Sequence, residues 1–452
     1  MTTFATRFIS RAIFPLHERL KGHGTTRILR QLETTQWWPA ERLAEFQAAR
    51  LRSLIESASL QVPYYRQLFA EAGCGPQDIH SPEDLSKLPF LTKDRIRANL
   101  ESLKANGAKR LIRFNTGGST GEPLIFYLGK ERVSHDVAAK WRATRWWGVD
   151  IGDPEVVVWG SPVELGAQNR LRAWRDRLLR TRLLSAFEMS EDNLNYFVAE
   201  IRRLRPKMLF GYPSALAHIA RHAQKRGVPM NDLGIQVAFV TAERLYDDQR
   251  RCIEAEFGCQ VANGYGGRDA GFVAHQCPAG SMHVTAEDMV VELIDREGKP
   301  VGAGEPGEVV VTHLATREFP FIRYRTGDVA VFDNQPCGCG RSLPVLKEVQ
   351  GRTTDFVVAS DGTVMHGLAL IYVLRDLPGI ESFKIIQENK TEVRVLVVPV
   401  SGYNRAIEEA IRRGFRARLG EGVCVNVEEV TEILPERSGK FRYVVSHMAL
   451  DS

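Results

Sequence analysis

Asn115-Thr116-Gly117-Gly118-Ser119-Thr120-Gly121-Glu122-Pro123 packs three glycines and four hydroxyl- or amide-bearing side chains into seven positions before Glu-Pro. Glycine lets a backbone take positive φ and approach a ligand closely. Successive N–H groups in such a turn form a concave anion site, and hydroxyls add donors. The composition is that of a phosphate-cradling loop. It is not a Walker A loop, because no Gly-Lys-Ser/Thr follows at the required spacing. By itself the stretch is equally compatible with a surface turn, so the surrounding chain decides.

The chain has 452 residues, long enough for two or three domains. Its hydrophobic fraction of 44% and charged fraction of 25% are those of a globular protein with a sizeable core. A net charge of only +5 does not suggest a nucleic-acid partner. No apolar run reaches the roughly 18 residues of a membrane span. Seven cysteines, an odd and unevenly spaced set, favour free thiols or a metal over a disulfide framework and place the protein in the cytoplasm. Residues 1–20 carry Arg7, Arg11 and Arg19 among Phe4, Phe8, Ile9, Ile13, Phe14 and Leu16, with no acid before Glu18. They lack the apolar core and cleavage site of a secretory signal. Two readings stand open: a helix packed on the body, or one that also rests weakly on an anionic membrane.

From residue 38 to about 72 the apolar spacing is helical. A strand is expected at 124–128, then an amphipathic helix over 131–147 with Val133, Val137, Trp141 and Thr144 on one side. Trp146-Trp147 reads as core or as a ligand platform. Glu155-Val156-Val157-Val158-Trp159 has the continuous apolar character of a buried parallel strand. The arginine-rich stretch 170–182 reads as a solvated helical face or an anion-binding one. Helices then alternate with short apolar runs at Met208-Leu209-Phe210, Val237-Ala238-Phe239-Val240 and Val261-Ala262-Asn263, an α/β pattern. From Met289 onward strands dominate. The last hundred residues change character: a hairpin at 356–364 with an Asp-Gly turn, a helix near 368–374, strands at 382–387 and 392–398, a helix at 404–419 and a strand at 424–430. The fold class is therefore α/β, with a large N-terminal domain of mixed sheets and helices (1–350) and a small α+β domain (351–452).

Four further stretches carry chemistry. Asn263-Gly264-Tyr265-Gly266-Gly267-Arg268-Asp269 sets an aromatic and an acid among glycines and, alone, reads as a plain turn. Arg323-Tyr324-Arg325-Thr326-Gly327-Asp328 puts an acid after a tight turn at a strand end, where it can accept from ribose hydroxyls. Gly351-Arg352-Thr353-Thr354-Asp355 lies at the composition boundary. Pro435-Glu436-Arg437-Ser438-Gly439-Lys440 is a polar loop whose lysine, alone, reads as solvated.

In this order the five stretches resemble the adenylate-forming superfamily of acyl-CoA synthetases, luciferases and nonribosomal-peptide adenylation domains. Within it the chain looks like the phenylacetate–CoA ligase and capsular-polysaccharide-associated branch, and the resemblance covers nearly the whole chain. It implies that Thr116, Gly117, Gly118, Ser119, Thr120 and Gly121 hold ATP phosphates. Tyr265 and Gly266 would flank adenine and the acyl pocket, and Asp328 and Arg352 would contact the ribose. Asp355 would be the hinge of a mobile lid, and Lys440 would engage the carboxylate and α-phosphate. Asp269 stands where the family usually has a glutamate that binds Mg²⁺. A carboxylate one methylene shorter still binds a hard cation, directly or through water. Tyr212, Trp141 and Thr241 are the expected lining of the acid pocket.

The implied reaction joins a carboxylic acid and ATP into acyl-AMP and pyrophosphate, then passes the acyl group to an acceptor. CoA is the expected acceptor; an amine, a hydroxyl or a carrier-protein thiol would make an amide-forming, ester-forming or carrier-loading enzyme. An inactive paralogue that only binds nucleotide is the alternative class. A monomer or homodimer is expected. Separately, Cys277, His283, Cys337 and Cys339 supply three thiols and an imidazole, the donor set of a closed structural zinc site, with His275 a competing ligand.

Overall fold

The computed structural model describes residues 3–115, 124–159, 169–186, 189, 191–352, 356–361, 364–366, 368–375, 377–434 and 442–448. The chain divides into two units. The larger comprises Met1–Thr326 and Ala330–Val349, and the smaller Gly327–Val329 with Gln350–Ser452, so Asp328 is grouped with the smaller.

In the larger unit, helices Ala40–Gln61 and Pro63–Ala72 precede an antiparallel pair, β1 (Ile112–Asn115) and β2 (Ile125–Leu128). The main sheet is built from β3 (Glu155–Trp159), β4 (Thr181–Ser185), β5 (Met208–Gly211), β6 (Val237–Thr241), β7 (Gln260–Gly267), β8 (Gly271–Gln276), β9 (Met282–Val284), β10 (Met289–Ile294), β11 (Pro306–His313), β12 (Tyr324–Asp333) and β13 (Val345–Arg352). Its order is β10-β11-β12-β13-β9-β8-β7-β6-β5-β3-β4. Strands β4, β3, β5, β6 and β7 run parallel, whereas β7 with β8, β8 with β9 and β9 with β13 pair antiparallel. All five residues of β6 and all four of β5 are buried, as expected for parallel strands covered on both faces. Helices Glu191–Leu204, Pro213–Lys225 and Asp247–Phe257 supply one cover, packing Phe197, Ile201, Leu216, Ile219, Ile253 and Phe257 against β3, β5 and β6.

Helix Lys130–Trp146 departs from its expected face. Val133 and Val137 are only half-buried, whereas Arg132, Ser134, His135, Arg142 and Thr144 are buried with Ala138 and Ala139. The reason is electrostatic: the charged side chains meet partners inside. Arg142 Nη1 lies 2.6 Å from Glu287 Oε1, with both side chains essentially inaccessible. The Thr35 hydroxyl donates to the same oxygen at 2.8 Å, bringing in helix Thr25–Thr35. His135 Nδ1 and Arg50 Nη1 both reach Asp288 Oδ1, at 2.6 and 3.1 Å.

Two more expectations need correction. The arginine-rich stretch 170–182 is not one helix. Helix Asn169–Leu178 ends, Arg180 turns the chain at φ 61°, and Arg182 lies in β4. The segment holding Asp328 is not a turn beyond a strand. It lies within β12, with Gly327 at φ 78° providing the local irregularity.

The smaller unit contains the pair β14 (Phe356–Val358) and β15 (Val364–His366), and a sheet of β16 (Ile380–Asn389), β17 (Glu392–Pro399), β18 (Cys424–Glu429) and β19 (Val444–Ser446). The sheet order is β18-β17-β16-β19. Buried Gln387 joins the two: it accepts from Val358 N–H at 2.9 Å and donates to the Val358 carbonyl at 2.7 Å. Asn404 caps helix Arg405–Leu419 by accepting from the N–H groups of Ala406 and Ile407. Ile407, Ile411, Phe415 and Leu419 form its buried stripe. Among the described strands of this unit, only the terminal β19 is not revealed by periodicity; it is three residues long and pairs parallel to β16.

Removing one partner of a buried ion pair leaves the other charge uncompensated, at a cost of about 3–5 kcal/mol. Glu287→Ala should therefore lower the denaturation midpoint of the larger unit by an equivalent of about 3 kcal/mol or more, read by urea unfolding.

Candidate active site and cysteine–histidine cluster

In open α/β sheets, ligands bind beyond the carboxyl ends of the parallel strands. Here those ends carry Trp159 at the end of β3, Tyr212 after β5, Thr241 at the end of β6, and Tyr265 and Gly266 within β7. The Trp159 and Tyr212 rings stack with centroids 4.3 Å apart and planes 24° apart. Thr241 pairs with Gly264. Ala242, the next residue, takes φ 71°, a conformation rare for a side-chain-bearing residue and frequent at functional edges. Gly266 sits at a register shift between β7 and β8, where an added Cβ would come within 2.1 Å of the Gly271 carbonyl oxygen. Only glycine fits there.

The β7–β8 turn carries Asp269. Its Oδ2 accepts from the Tyr324 hydroxyl at 2.7 Å, and its Oδ1 accepts from the Ala270 N–H at 3.0 Å. Its carbonyl oxygen accepts from Arg132 Nη2 at 3.2 Å. Arg132 also donates through Nε to Asp136, 2.9 Å away, and His313 Nε2 lies 3.6 Å from that carboxylate. The acid is thus aimed by a buried phenol and a buried guanidinium. Neither Tyr324 nor Arg132 is singled out by the sequence motifs. The signal for Tyr324 was its place inside the Arg323–Asp328 stretch.

The expected pocket residues do not all meet. Tyr212 and Thr241 share the carboxyl edge. Trp141 packs instead with Ile9, Phe14, Ile28 and Leu32 of the N-terminal helices, in a different apolar cluster from Tyr212. Thr116, Gly117, Gly118, Ser119, Thr120 and Gly121 lie outside the described residues, as do Asp355 and Lys440. Arg352 closes β13, and Asp328 lies in β12.

A second constellation forms at the other end of β8. Cys277 follows β8, His283 is in β9, and Cys337 and Cys339 precede β13, which pairs with β9 through Val345 and His283. One ligand atom from each of the four residues lies within 4.8 Å of the others. Cys277 Sγ and Cys337 Sγ are 3.7 Å apart, and Cys339 Sγ is 3.2 Å from His283 Nε2. The first spacing is too long for a disulfide. It matches the edge of about 3.8 Å that a tetrahedron of 2.3 Å metal–sulfur bonds requires. His283 Nδ1 is 3.3 Å from the Leu343 carbonyl oxygen, a contact that orients the ring and leaves Nε2 free to bind a metal. The donor set therefore fits zinc.

His275 does not join this group. It is buried between Phe272 and Phe239, ring centroids 5.4 and 6.0 Å away, and neither ring nitrogen meets a hydrogen-bond partner among the described residues. Burial, reinforced by the Arg142 charge, pushes its pKa down to about 3. Burial and then Arg132 push His313 down to about 4, although Asp136 opposes this. Burial raises the Asp136 carboxyl, but Arg132 and His313 together outweigh it, so it stays below its usual range.

Known proteins bear on this geometry. Residues 114–315 match the AMP-binding enzyme family, and residues 357–447 match the CapK C-terminal domain. Protein CapK of Staphylococcus aureus is 24% identical over 410 residues, 90% of each chain. The phenylacetate–coenzyme A ligase of Thermus thermophilus is 28% identical over 337 residues, 73% of this chain and 74% of the relative. Among solved structures, 2-hydroxyisobutyryl-CoA ligase in its postadenylation state shares the fold, with a TM-score of 0.74 at 20% identity over 91% of this chain and 90% of that one.

Both histidines bear on acid stability. Between the ordinary value of 6.5 and their folded values of about 3 and 4, the unfolded chain binds protons that the folded chain refuses. Stability then rises with pH across that window. The thermal midpoint should fall as pH drops from about 6.5 towards 4, and fall less steeply in His275→Leu, as followed by circular dichroism. With its AMP-binding-enzyme region, its CapK C-terminal region and CapK and phenylacetate–CoA ligase relatives, the chain is similar to the adenylate-forming superfamily, in the branch of those proteins.

Proposed function

We propose that the protein activates a carboxylic acid with ATP and transfers the acyl group to the thiol of coenzyme A. A carboxylate oxygen attacks the α-phosphorus, pyrophosphate leaves, and the thiol sulfur then displaces AMP from the acyl carbon. The observation that carries this reading is the match of residues 114–315 to the AMP-binding enzymes, since that region contains the edge bearing Tyr212, Thr241, Tyr265 and Asp269. The several phenylacetate–CoA ligases among the relatives favour CoA over an amine, a hydroxyl or a carrier thiol as acceptor.

Each residue has a physical task in this reading. Thr116, Gly117, Gly118, Ser119, Thr120 and Gly121 present donors to the ATP phosphates. Tyr265 and Gly266 offer a ring and a close backbone approach to adenine, and Asp328 and Arg352 hold the ribose. Asp269 would hold Mg²⁺, which would offset phosphate charge. Tyr324 and Arg132 fix the orientation of that acid. Two anions meet when carboxylate approaches phosphate, and Lys440 supplies the cation that offsets their repulsion in the transition state. Asp355 is the hinge about which the lysine is presented and withdrawn. The substrate acid occupies the space beside Tyr212 and Thr241. Retention of Lys440 disfavours an inactive nucleotide-binding paralogue.

We assign a structural zinc to Cys277, His283, Cys337 and Cys339, with all four coordination positions filled by protein and none left for substrate. A reducing cytoplasm suits this set of unpaired thiols.

Two experiments test these assignments. Lys440→Ala should abolish carboxylate-dependent ATP–pyrophosphate exchange while ATP binding persists; undiminished exchange would remove Lys440 from the mechanism. A panel of aromatic, fatty and amino acids in the wild-type assay, followed by CoA or amines, identifies substrate and acceptor. For the metal, protein purified without added zinc should carry about one equivalent. Cys337→Ser should lose it and unfold at a lower temperature, and folded, active protein holding less than about a tenth of an equivalent would reject the site.

A further inference from the structure

The N-terminal helical segment has two faces of opposite character. Helices Phe4–Phe8 and Phe14–Lys21 are joined without a break by the π-helical stretch Ile9–Ile13. One face is docked on the body: Ile9 and Phe14 pack into the cluster of Ile28, Leu32 and Ala139, and the Thr6 hydroxyl donates to Asp153 at 2.8 Å. The other face is open. Phe4 is 85% exposed, Phe8 54%, Leu16 60% and Leu20 80%. With exposed Ala12 these residues recur every four positions, which is one ridge of a helix surface. Arg7, Arg11 and Arg19, also exposed and four or eight apart, run alongside, followed by Lys21.

No acid faces outward on this segment. Glu18 is the only acid among residues 3–22, and it is buried, accepting from Thr25 at 2.5 Å and lying 3.1 Å from both His17 and His23. Helix Asn169–Leu178 lies beside the segment. Leu179, which follows it, packs on the cluster of Ile9 and Phe14, and the Arg175 charge is felt at His17 and Lys21. This helix adds Trp174, 67% exposed, and exposed Arg177.

We infer that this face, formed by Phe4, Phe8, Leu16, Leu20 and Trp174 among Arg7, Arg11, Arg19, Lys21 and Arg177, seats the protein on an anionic lipid bilayer. Charge complementarity selects the occupant. An interfacial helix lays its apolar ridge at the acyl boundary while flanking cations meet anionic headgroups. A second copy docking by the same face would set arginine against arginine. No helix among the described residues is long and apolar enough to cross a membrane, so the contact is with one leaflet. The inference does not depend on the proposed acyl transfer.

The test is co-sedimentation of the full chain with phosphatidylcholine vesicles containing about 30% phosphatidylserine, and with phosphatidylcholine alone. Binding to the mixed vesicles only, weakened by salt, is expected. Replacing Phe4, Phe8, Leu16 and Leu20 together by serine, or changing Arg7→Glu, Arg11→Glu and Arg19→Glu, should each reduce partitioning roughly tenfold or more. Both variants change exposed side chains remote from the carboxyl edge, so their thermal midpoint and pyrophosphate exchange should match wild type. Failure of the wild type to sediment, or retention of binding by the serine variant, overturns the proposal. So does a dimer that the serine variant dissociates while no vesicle is bound, because the face would then belong to a second copy.

Discussion

The contact between Arg142 and Glu287 is the constraint around which the larger unit is arranged. A guanidinium and a carboxylate removed from water each carry a desolvation cost of several kcal/mol, which only close and well-aimed partners offset. Their presence at 2.6 Å fixes where helix Lys130–Trp146 sits against the segment before β10. The Thr35 hydroxyl, donating to the same carboxylate, fixes helix Thr25–Thr35 as well. The same helix then sends Arg132 to the Asp269 carbonyl and to Asp136, and His135 to Asp288. A helix that could have been an apolar strut is instead a row of buried charges. Its position is specified by direction as well as by burial, and Asp269 at the carboxyl edge inherits that precision.

The second determinant is how closely backbones approach at the carboxyl edge. Gly211 leaves no room for a Cβ, which would come within 2.5 Å of the Val158 carbonyl oxygen, and Gly264 would meet the Phe239 ring at 2.8 Å. With Gly266 these positions let β3, β5, β6, β7 and β8 close up where a side chain would wedge them apart. The strands therefore end together, and Tyr212, Thr241 and Tyr265 emerge at one edge. Glycines that read as turn residues in Asn263–Asp269 in fact extend a strand, because cross-strand packing rather than local propensity decides their conformation.

This explains what was legible in the sequence. Strands β3, β5 and β6 announce themselves because burial on both faces demands unbroken apolar runs. Cys277, His283, Cys337 and Cys339 could be grouped because thiols and imidazole have few other uses in Gly-rich loops. His275 could not be excluded from the sequence, since only the pairing of β8 with its neighbours turns it towards Phe239 and Phe272. The inner face of helix Lys130–Trp146 was misread for a similar reason. Val133 and Val137 mark one side of the helix in the sequence, yet Arg132 and Arg142 are the buried side chains, with partners contributed from residues more than a hundred positions away. Trp141 went astray with them. The N-terminal helix was legible as amphipathic, but which of its two apolar stripes would remain exposed depended on Thr6, Ile9 and Phe14 finding their places on the body.

The two constellations occupy opposite ends of one short strand. Asp269 stands in the turn before β8, and Cys277 follows its last residue. Between them, the Gln276 side chain accepts from the Asn263 N–H at 3.0 Å and from Arg250 at 3.1 Å, while its carbonyl accepts from the Trp147 indole at 2.9 Å. The end of β8 is thereby tied to β7 two residues before Tyr265, and to the residue that follows helix Lys130–Trp146. A metal closing the cysteine–histidine cluster would fix the β8–β9 turn against the loop before β13, and that rigidity would pass along hydrogen bonds already in place. With a metal bound, the cluster would act on the carboxyl edge by limiting strand motion. It needs no ligand position of its own, which agrees with four protein donors and none left over.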